Sequence, residues 1–388
     1  MITREQLREL AEIESPEGVA VSFYFQPTRP QNKSHRDELI RLKDLVRGAM
    51  KRAGGAARVD LERILERAEQ LHADHAHAKA IFACSAKGTW REFNLPPKLA
   101  ASTVVLNSRF HLSPLVTALD HLLRCAVALV NREKSHIVGL GIGDTPEEVI
   151  SIEEITSEAP RRVRTDGFAG YQAGHIERHI DNEAMRHFKY TAERLKDIVE
   201  TRAVEQVVMG CRDEIWLEIE SQLHSYVRQR LVGRFPADPA TTSLAEIRDQ
   251  VEKIIFEQRA SEREALVREV LGEAQRDGRG VTGLRNVLLS LERGEVQTLL
   301  IANSFSAPGV ECRNCGHLDS RASRQCDVCG RETTEVENLL DVLVSRAIRT
   351  GGVEIVHVSS NGDFARAGNI GALLRFRADQ NTAQKLAS

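Results

Sequence analysis

The chain has 388 residues, which at about 150 residues per domain suggests two or three domains. Apolar residues make up 41% and charged residues 28%, a balance that excludes a disordered or fibrous protein. The net charge of −3 excludes any global attraction to nucleic acid or anionic membrane, so an RNA-binding surface must be local.

Residues 2–13 are helix-periodic, and Val19 to Phe25 reads as a strand. The polar turn from Thr28 to Ser34 has a basic tip. Two amphipathic stretches follow, about 35–53 and 59–73, separated by Gly54-Gly55; Leu39, Leu42, Leu45 and Val46 mark the buried stripe of the first. His72, His75 and His77 cluster at a helix-to-strand turn and read as surface residues. Strands are expected at 79–84, 90–94 and 102–106, with a short helix near 113–123. A second unit opens with strands at about 125–131, 135–141 and 147–152, and the stretch 160–174 is a loop rich in Gly and Arg. A long helix runs from about 175 to 200, followed by a strand at 205–209, a helix near 213–222 and a long helical stretch at 243–275. A third unit reads helix (282–293), strand (Val296 to Ala302), a cysteine-rich insert, helix (335–349), strand (Val353 to Val358) and strand (Ala372 to Phe376). Alternating helices and strands define an α/β protein, with domains expected at 1–122, 123–257 and 258–388.

The opening Met1-Ile2-Thr3-Arg4-Glu5 has no apolar signal core, and no run nears the ~18 apolar residues of a membrane span. A cytoplasmic location is expected, where thiols stay reduced and paired cysteines serve metals. Of the seven cysteines, Cys84, Cys125 and Cys211 lie in apolar runs and read as small buried hydrophobes.

The other four form two copies of one knuckle, Cys312-x2-Cys315-Gly316 and Cys326-x2-Cys329-Gly330. Each pair can turn two sulfurs toward one point, and the following Gly permits the positive φ that aims backbone amides at the thiolates. Together they predict a zinc ribbon over 310–332 holding a single Zn2+ in a closed S4 shell. With no open position the metal is structural, and such a site contributes on the order of 10 kcal/mol to local folding. His317 is close by and is not needed for a full shell.

The third unit resembles the C-terminal domain of the archaeal and eukaryotic release factor one / Pelota superfamily. The residues that carry the likeness are Val281-Thr282-Gly283-Leu284, the stretch Gly294 to Ile301, the two knuckles, Glu335-Val336-Glu337, Gly352 to Val356 and Gly371 to Phe376. The second unit is similar to the superfamily's middle domain, with strands, a Gly-rich loop, a long basic helix and then Val207-Val208-Met209-Gly210. The first unit is similar to the N-terminal domain in its helical hairpin and in Phe110-His111. The resemblance implies three α/β domains in a tRNA-like arrangement that occupies the ribosomal A site. The N-terminal domain would lie at the decoding centre, the middle domain near the peptidyl-transferase centre, and the C-terminal domain against a translational GTPase such as elongation factor Tu.

The sequence departs from release factors where they act. Their Gly-Gly-Gln corresponds here to Gly170-Tyr171-Gln172. A Tyr in place of the second Gly restricts φ and adds a ring where the peptidyl-tRNA ester should fit. Of the Asn-Ile-Lys-Ser decoding element only Asn32-Lys33-Ser34 remains, and of the Tyr-x-Cys-x-x-x-Phe pattern only Phe110. The helix after the middle loop carries His175, Arg178, His179 and Arg186 on one face and Ile176, Ile180, Ala184 and Phe188 on another; Arg161, Arg162 and Arg164 lie just upstream. Alone, this pattern also fits a solvated amphipathic face; the resemblance turns it toward rRNA phosphates. His175, His179 and Glu183 have metal-ligand spacing, but a basic helix repels cations.

The expectation is a bacterial, A-site-binding factor that neither reads a codon nor cuts the nascent chain, similar to Balon-like ribosome hibernation factors, and monomeric off the ribosome. Two other readings stand beside it: a release or rescue factor that hydrolyses peptidyl-tRNA despite Tyr171, and an RNA-binding module or nuclease acting on free RNA.

Overall fold

The computed structural model describes residues 2–15, 20–26, 35–71, 78–95, 102–121, 123–142, 149–156 and 170–377. It divides into two compact units, Met1–Asp120 with Glu262–Ser388, and His121–Ser261.

The chain enters with helix α1 (Arg4–Glu12). Thr3 caps it through a reciprocal box: its hydroxyl accepts from the Gln6 amide at 3.2 Å and its own amide donates to the Gln6 side chain at 2.9 Å. There follow β1 (Ala20–Phe25), α2 (His35–Met50), α3 (Gly55–Leu71), β2 (Ala78–Cys84), β3 (Thr89–Leu95), β4 (Thr103–Asn107) and α4 (Ser113–His121). The strands pair antiparallel in the order β3-β2-β1-β4. All six residues of β1 are buried, because it is central and covered on both faces. The expected stripe of α2 holds at Leu42 and Val46, joined by Ala49, with Leu39 and Leu45 half-buried. Helix α3 begins at Gly55, earlier than the apolar pattern suggested.

The second unit is formed by β5 (Leu123–Val130), β6 (Lys134–Ile142), β7 (Val149–Thr156), α5 (Gly170–Thr201), β8 (Gln206–Gly210), α6 (Asp213–Gln222), α7 (Ser225–Arg228), β9 (Leu231–Phe235) and the first part of α8 (Leu244–Gln275). Its sheet has the order β7-β6-β5-β8-β9, antiparallel on the β7 side and parallel from β5 to β9. The continuous apolar run of β5 is explained by burial on both faces: Ala126, Ala128 and Val130 meet Phe188 and Leu195 of α5, while Cys125, Val127 and Leu129 meet Ile247, Val251 and Ile255 of α8. Strand β9 was not expected from the sequence, since Gly233 and Arg234 interrupt its apolar pattern. Its place at the sheet edge tolerates both.

The remaining elements are β10 (Gly280–Thr282), α9 (Leu284–Glu292), β11 (Val296–Ala302), β12 (Gly309–Cys312), β13 (Leu318–Asp319), β14 (Thr333–Val336), α10 (Leu340–Thr350), β15 (Glu354–Val358), α11 (Gly362–Arg366) and β16 (Ile370–Leu374). One sheet runs β10-β16-β11-β15 and a second, in the cysteine-rich insert, β13-β12-β14. Glu335 and Val336, expected to open a helix, instead belong to β14, where β12 pairs with them; the helix starts at Leu340. The α/β class holds throughout, and the cores of the first and third parts of the chain are one continuous cluster. No helix among the described residues is long and apolar enough to cross a membrane.

Candidate functional site

The two knuckles are near copies. In the first, the Cys312 amide donates to the His317 carbonyl at 2.9 Å and the Gly316 amide to the Cys312 carbonyl at 2.8 Å. In the second, Cys326 donates to Arg331 and Gly330 to Cys326, both at 2.8 Å. Gly316 and Gly330 sit at φ +74° and +70°, the left-handed conformation the spacing required. The four sulfurs lie within 4.8 Å of one another, with 3.4 Å between Cys312 and Cys329 and 3.6 Å between Cys315 and Cys326. A tetrahedral shell with metal–sulfur bonds of about 2.3 Å separates its sulfurs by about 3.8 Å, so the cluster is the right size for one metal ion. As free thiols Cys329 and Cys315 are shifted in opposite directions. The Arg331 amide and the neighbouring sulfurs lower Cys329 to about 6. Cys315 receives the His317 amide, yet burial and the thiols of Cys329, Cys326 and Cys312 push it up to about 12.

The cluster is anchored from outside by Glu292, the last residue of α9. Its carboxylate accepts from His317 Nδ1 and from the Leu318 amide, each at 3.0 Å, and from Arg346 of α10 at 3.3 Å. His317 is therefore committed to Glu292 rather than to the sulfurs. Arg346 also donates to the Gly316 carbonyl, so one guanidinium ties a knuckle to the helix behind it.

A second anchor had no signal in the sequence beyond Phe110-His111 itself. Buried Arg109 donates to both carboxylate oxygens of Glu311 in β12 and pairs with Glu14 at 2.8 Å. Burial disfavours its charge, but the two carboxylates outweigh this and raise its pKa. Next to it, Asp341 of α10 accepts from His111 Nδ1 at 2.6 Å and from Asn107 at 3.1 Å. The His111 backbone is held as well, its amide by Ser22 at 2.9 Å and its carbonyl by the Tyr24 hydroxyl. His357 of β15 is buried between Ser113 at 2.5 Å and Thr117 at 3.1 Å. Burial, with Arg263 and His111 nearby, lowers it to about 4 and keeps it neutral.

In the second unit, Gly170-Tyr171-Gln172 forms the first turn of α5 instead of lying in a loop ahead of it. Nothing between Tyr171 and Ala173 breaks a helix, and Gly174 costs only about 1 kcal/mol, so α5 extends upstream of the residue the apolar face marked. His175, Arg178 and His179 lie on α5 as expected. Of the expected apolar face, Ala184 and Phe188 are buried; the side chains of Ile176 and Ile180 lie outside the described residues. Arg186 is 77% exposed and pairs with Glu183 at 2.6 Å, so the carboxylate of the His175, His179, Glu183 spacing is already engaged. Arg161, Arg162, Arg164, Asn32, Lys33 and Ser34, like His72, His75 and His77, lie outside the described residues. Arg132, just past β5, bridges Asp181 of α5 and Glu218 of α6 at 2.8 and 3.0 Å, a link invisible in the sequence order. Cys125 and Cys211 are buried, and burial pushes them up to about 12 and about 11; they are core residues, not nucleophiles.

The chain is similar to proteins of the archaeo-eukaryotic release factor one / Pelota superfamily. Residues 111–255, which cover most of the second unit, match the family model of bacterial archaeo-eukaryotic release factor family 10. The Pelota homologue of Pyrococcus furiosus is 22% identical over 263 residues, a match that spans 66% of this chain and 66% of that protein. Among solved structures, Archaeoglobus fulgidus Pelota is 14% identical with a TM-score of 0.38, covering 96% of this chain and 92% of its own. The archaeal translation termination factor aRF1 is 17% identical with a TM-score of 0.24, covering 97% and 99%.

Proposed function

We propose that this protein is a ribosome A-site-binding factor of the Balon-like hibernation kind, which occupies the site without reading a codon or hydrolysing peptidyl-tRNA. The observation that carries the reading is Tyr171 at the start of α5, in a chain whose middle part matches a release-factor family. The likeness to the superfamily points to the ribosome; the altered tripeptide argues against the release chemistry. Where release factors place two glycines, a Gly-Tyr pair offers less backbone freedom and a bulky ring at the tip. Gln172 is kept, yet an attacking water oriented by Gln is useful only if the ester comes within reach.

In this reading Arg161, Arg162 and Arg164, with the basic face of α5, contact rRNA phosphates, and Asn32, Lys33 and Ser34 face the decoding centre. Cys312, Cys315, Cys326 and Cys329 hold one structural Zn2+, and the ribbon faces a protein partner such as elongation factor Tu. The chemistry of four thiolates fits a metal that builds structure, because every coordination position is filled by sulfur.

The test is co-sedimentation with ribosomes across a salt series. Binding should weaken steeply with salt, and reversing Arg161, Arg162 and Arg164 to Glu should weaken it further and flatten the salt slope. No co-sedimentation with ribosomes or subunits at low salt rules the reading out. Equally tight binding to naked structured RNA favours a factor that acts on free RNA.

A further inference from the structure

An open cleft of about 1260 Å³ lies within the unit formed by the first and third parts of the chain. Two strand edges border it. One is β4, through Val105, Leu106 and Asn107; the other is β14, through Thr334, Glu335 and Val336. Among the described residues each strand pairs on one side only, β4 with β1 and β14 with β12, so alternate backbone N–H and C=O groups on the other side have no strand partner there.

Such edges are normally blunted by charge. Among the described sheets the other edge strands longer than three residues obey this rule: β3 carries Arg91 and Glu92, β7 Glu153 and Glu154, β9 Arg234, β14 Glu335 and β15 Glu354. Strand β4, Thr-Val-Val-Leu-Asn, carries no charged residue, no Pro and no Gly. All five of its residues are buried or half-buried, and the carbonyl of Ser108, just past the strand, takes the Ser15 amide. An uncharged edge that opens on a groove is a template for a strand from another molecule.

The charge of the groove states what that strand carries. Its lining holds six carboxylates against four guanidiniums. Arg109 pairs with Glu311 and Glu14, and Arg346 with Glu292, which leaves exposed Glu12, Glu335 and Glu337 against exposed Arg313 and Arg349, a residual excess of acid. Glu335 and Glu337 are exposed and have no ion pair among the described residues; Glu335 lies in β14 and Glu337 in the bend that follows it. The cleft is also larger than the usual 300–1,000 Å³ small-molecule pocket and is lined by charge rather than by apolar walls.

We infer that this cleft is a β-augmentation site that receives an extended, Lys/Arg-bearing segment of a protein partner, which adds to the β4 edge with its cations toward Glu335 and Glu337. The inference does not rest on the ribosomal reading and is tested without ribosomes.

The probe is a fluorescein-labelled octapeptide of alternating Lys and Val, titrated into the full chain by anisotropy. Controls are the same Lys-Val octapeptide methylated at every backbone nitrogen, which cannot donate strand hydrogen bonds, and a Glu-Val octapeptide. The Lys-Val peptide is expected to bind at least tenfold tighter than either control. Glu335→Lys with Glu337→Lys should weaken it at least tenfold, as should Leu106→Lys, which installs the missing blunting charge. Bound peptide should slow amide exchange at Thr103–Asn107. Equal binding of the N-methylated and unmethylated Lys-Val peptides would reduce the effect to bulk charge and overturn the proposal, as would no binding at millimolar peptide or binding unchanged by both sets of variants. Circular dichroism of each variant keeps a folding failure from passing as a loss of binding.

Discussion

Arg109 and Glu311, 202 residues apart in sequence, meet through two parallel hydrogen bonds of 2.6 and 2.8 Å. The guanidinium is only 7% exposed and the carboxylate 14%. A bidentate pair of this geometry fixes β12, the strand that ends in the first cysteine of the cluster, against the segment between β4 and α4. The ribbon is thereby tied to two places, to Arg109 on one side and to Glu292 and Arg346 on the other.

Removing Arg109 leaves Glu311 shielded from water with no cation. Arg109→Ala should destabilise the unit by about 3–5 kcal/mol, the usual cost of breaking one side of a buried pair. Arg109→Lys should recover only part of this, because an ammonium cannot form the fork. Urea denaturation of the two variants beside wild type measures both effects.

His357 predicts an acid sensitivity whose sign follows from burial. Its folded pKa is about 4, against roughly 6.5 in an unfolded chain. Above pH 6.5 both states are neutral there and the residue adds no pH dependence. As pH falls from 6.5 toward 4 the unfolded state takes up the proton first, so stability is lost across that window, by at most about 3 kcal/mol. His187 is lowered by its own burial and acts with the same sign in the other unit. The His357→Gln variant should show a flatter stability curve between pH 4 and 6.5, read from denaturation midpoints.

Metal removal separates the ribbon from the rest of the chain. Chelation, or Cys326→Ser, should release one zinc per chain and speed amide exchange across Gly309–Val336. Exchange in β5 and β8 should not change, because their core is built from α5 and α8 and includes no ribbon residue. A colorimetric zinc assay paired with exchange mass spectrometry checks both halves.

Peptidyl-tRNA release on ribosomes with an empty A site should stay at background with the wild-type chain. Turnover at release-factor rates, abolished by Gln172→Ala, would show that Tyr171 is tolerated and that the protein is an enzyme.

Local chemistry was the legible part of this chain. Two Cys-x2-Cys-Gly knuckles specify their own backbone conformation, so the ribbon and its positive-φ glycines could be read without knowing what surrounds them. The strand Val296–Ala302 was equally plain, since it is apolar at nearly every position. Boundaries failed where two structures compete for the same residues. Glu335 and Val336 suit a helix start by composition but are claimed by the register with β12. Gly170–Gln172 suits a loop but continues α5. Long-range pairs such as Arg109 with Glu311 and His111 with Asp341 left no trace, because a charge in a sequence does not announce which distant charge it will meet.

The most direct test of the account is a cryo-EM map of the protein bound to ribosomes from starved cells. The account predicts density for the whole chain in a vacant A site, with the Gly170–Gln172 turn toward the peptidyl-transferase centre and no contact that depends on an A-site codon. Density at another ribosomal site, or a chain that binds only when a particular codon is presented, would contradict it.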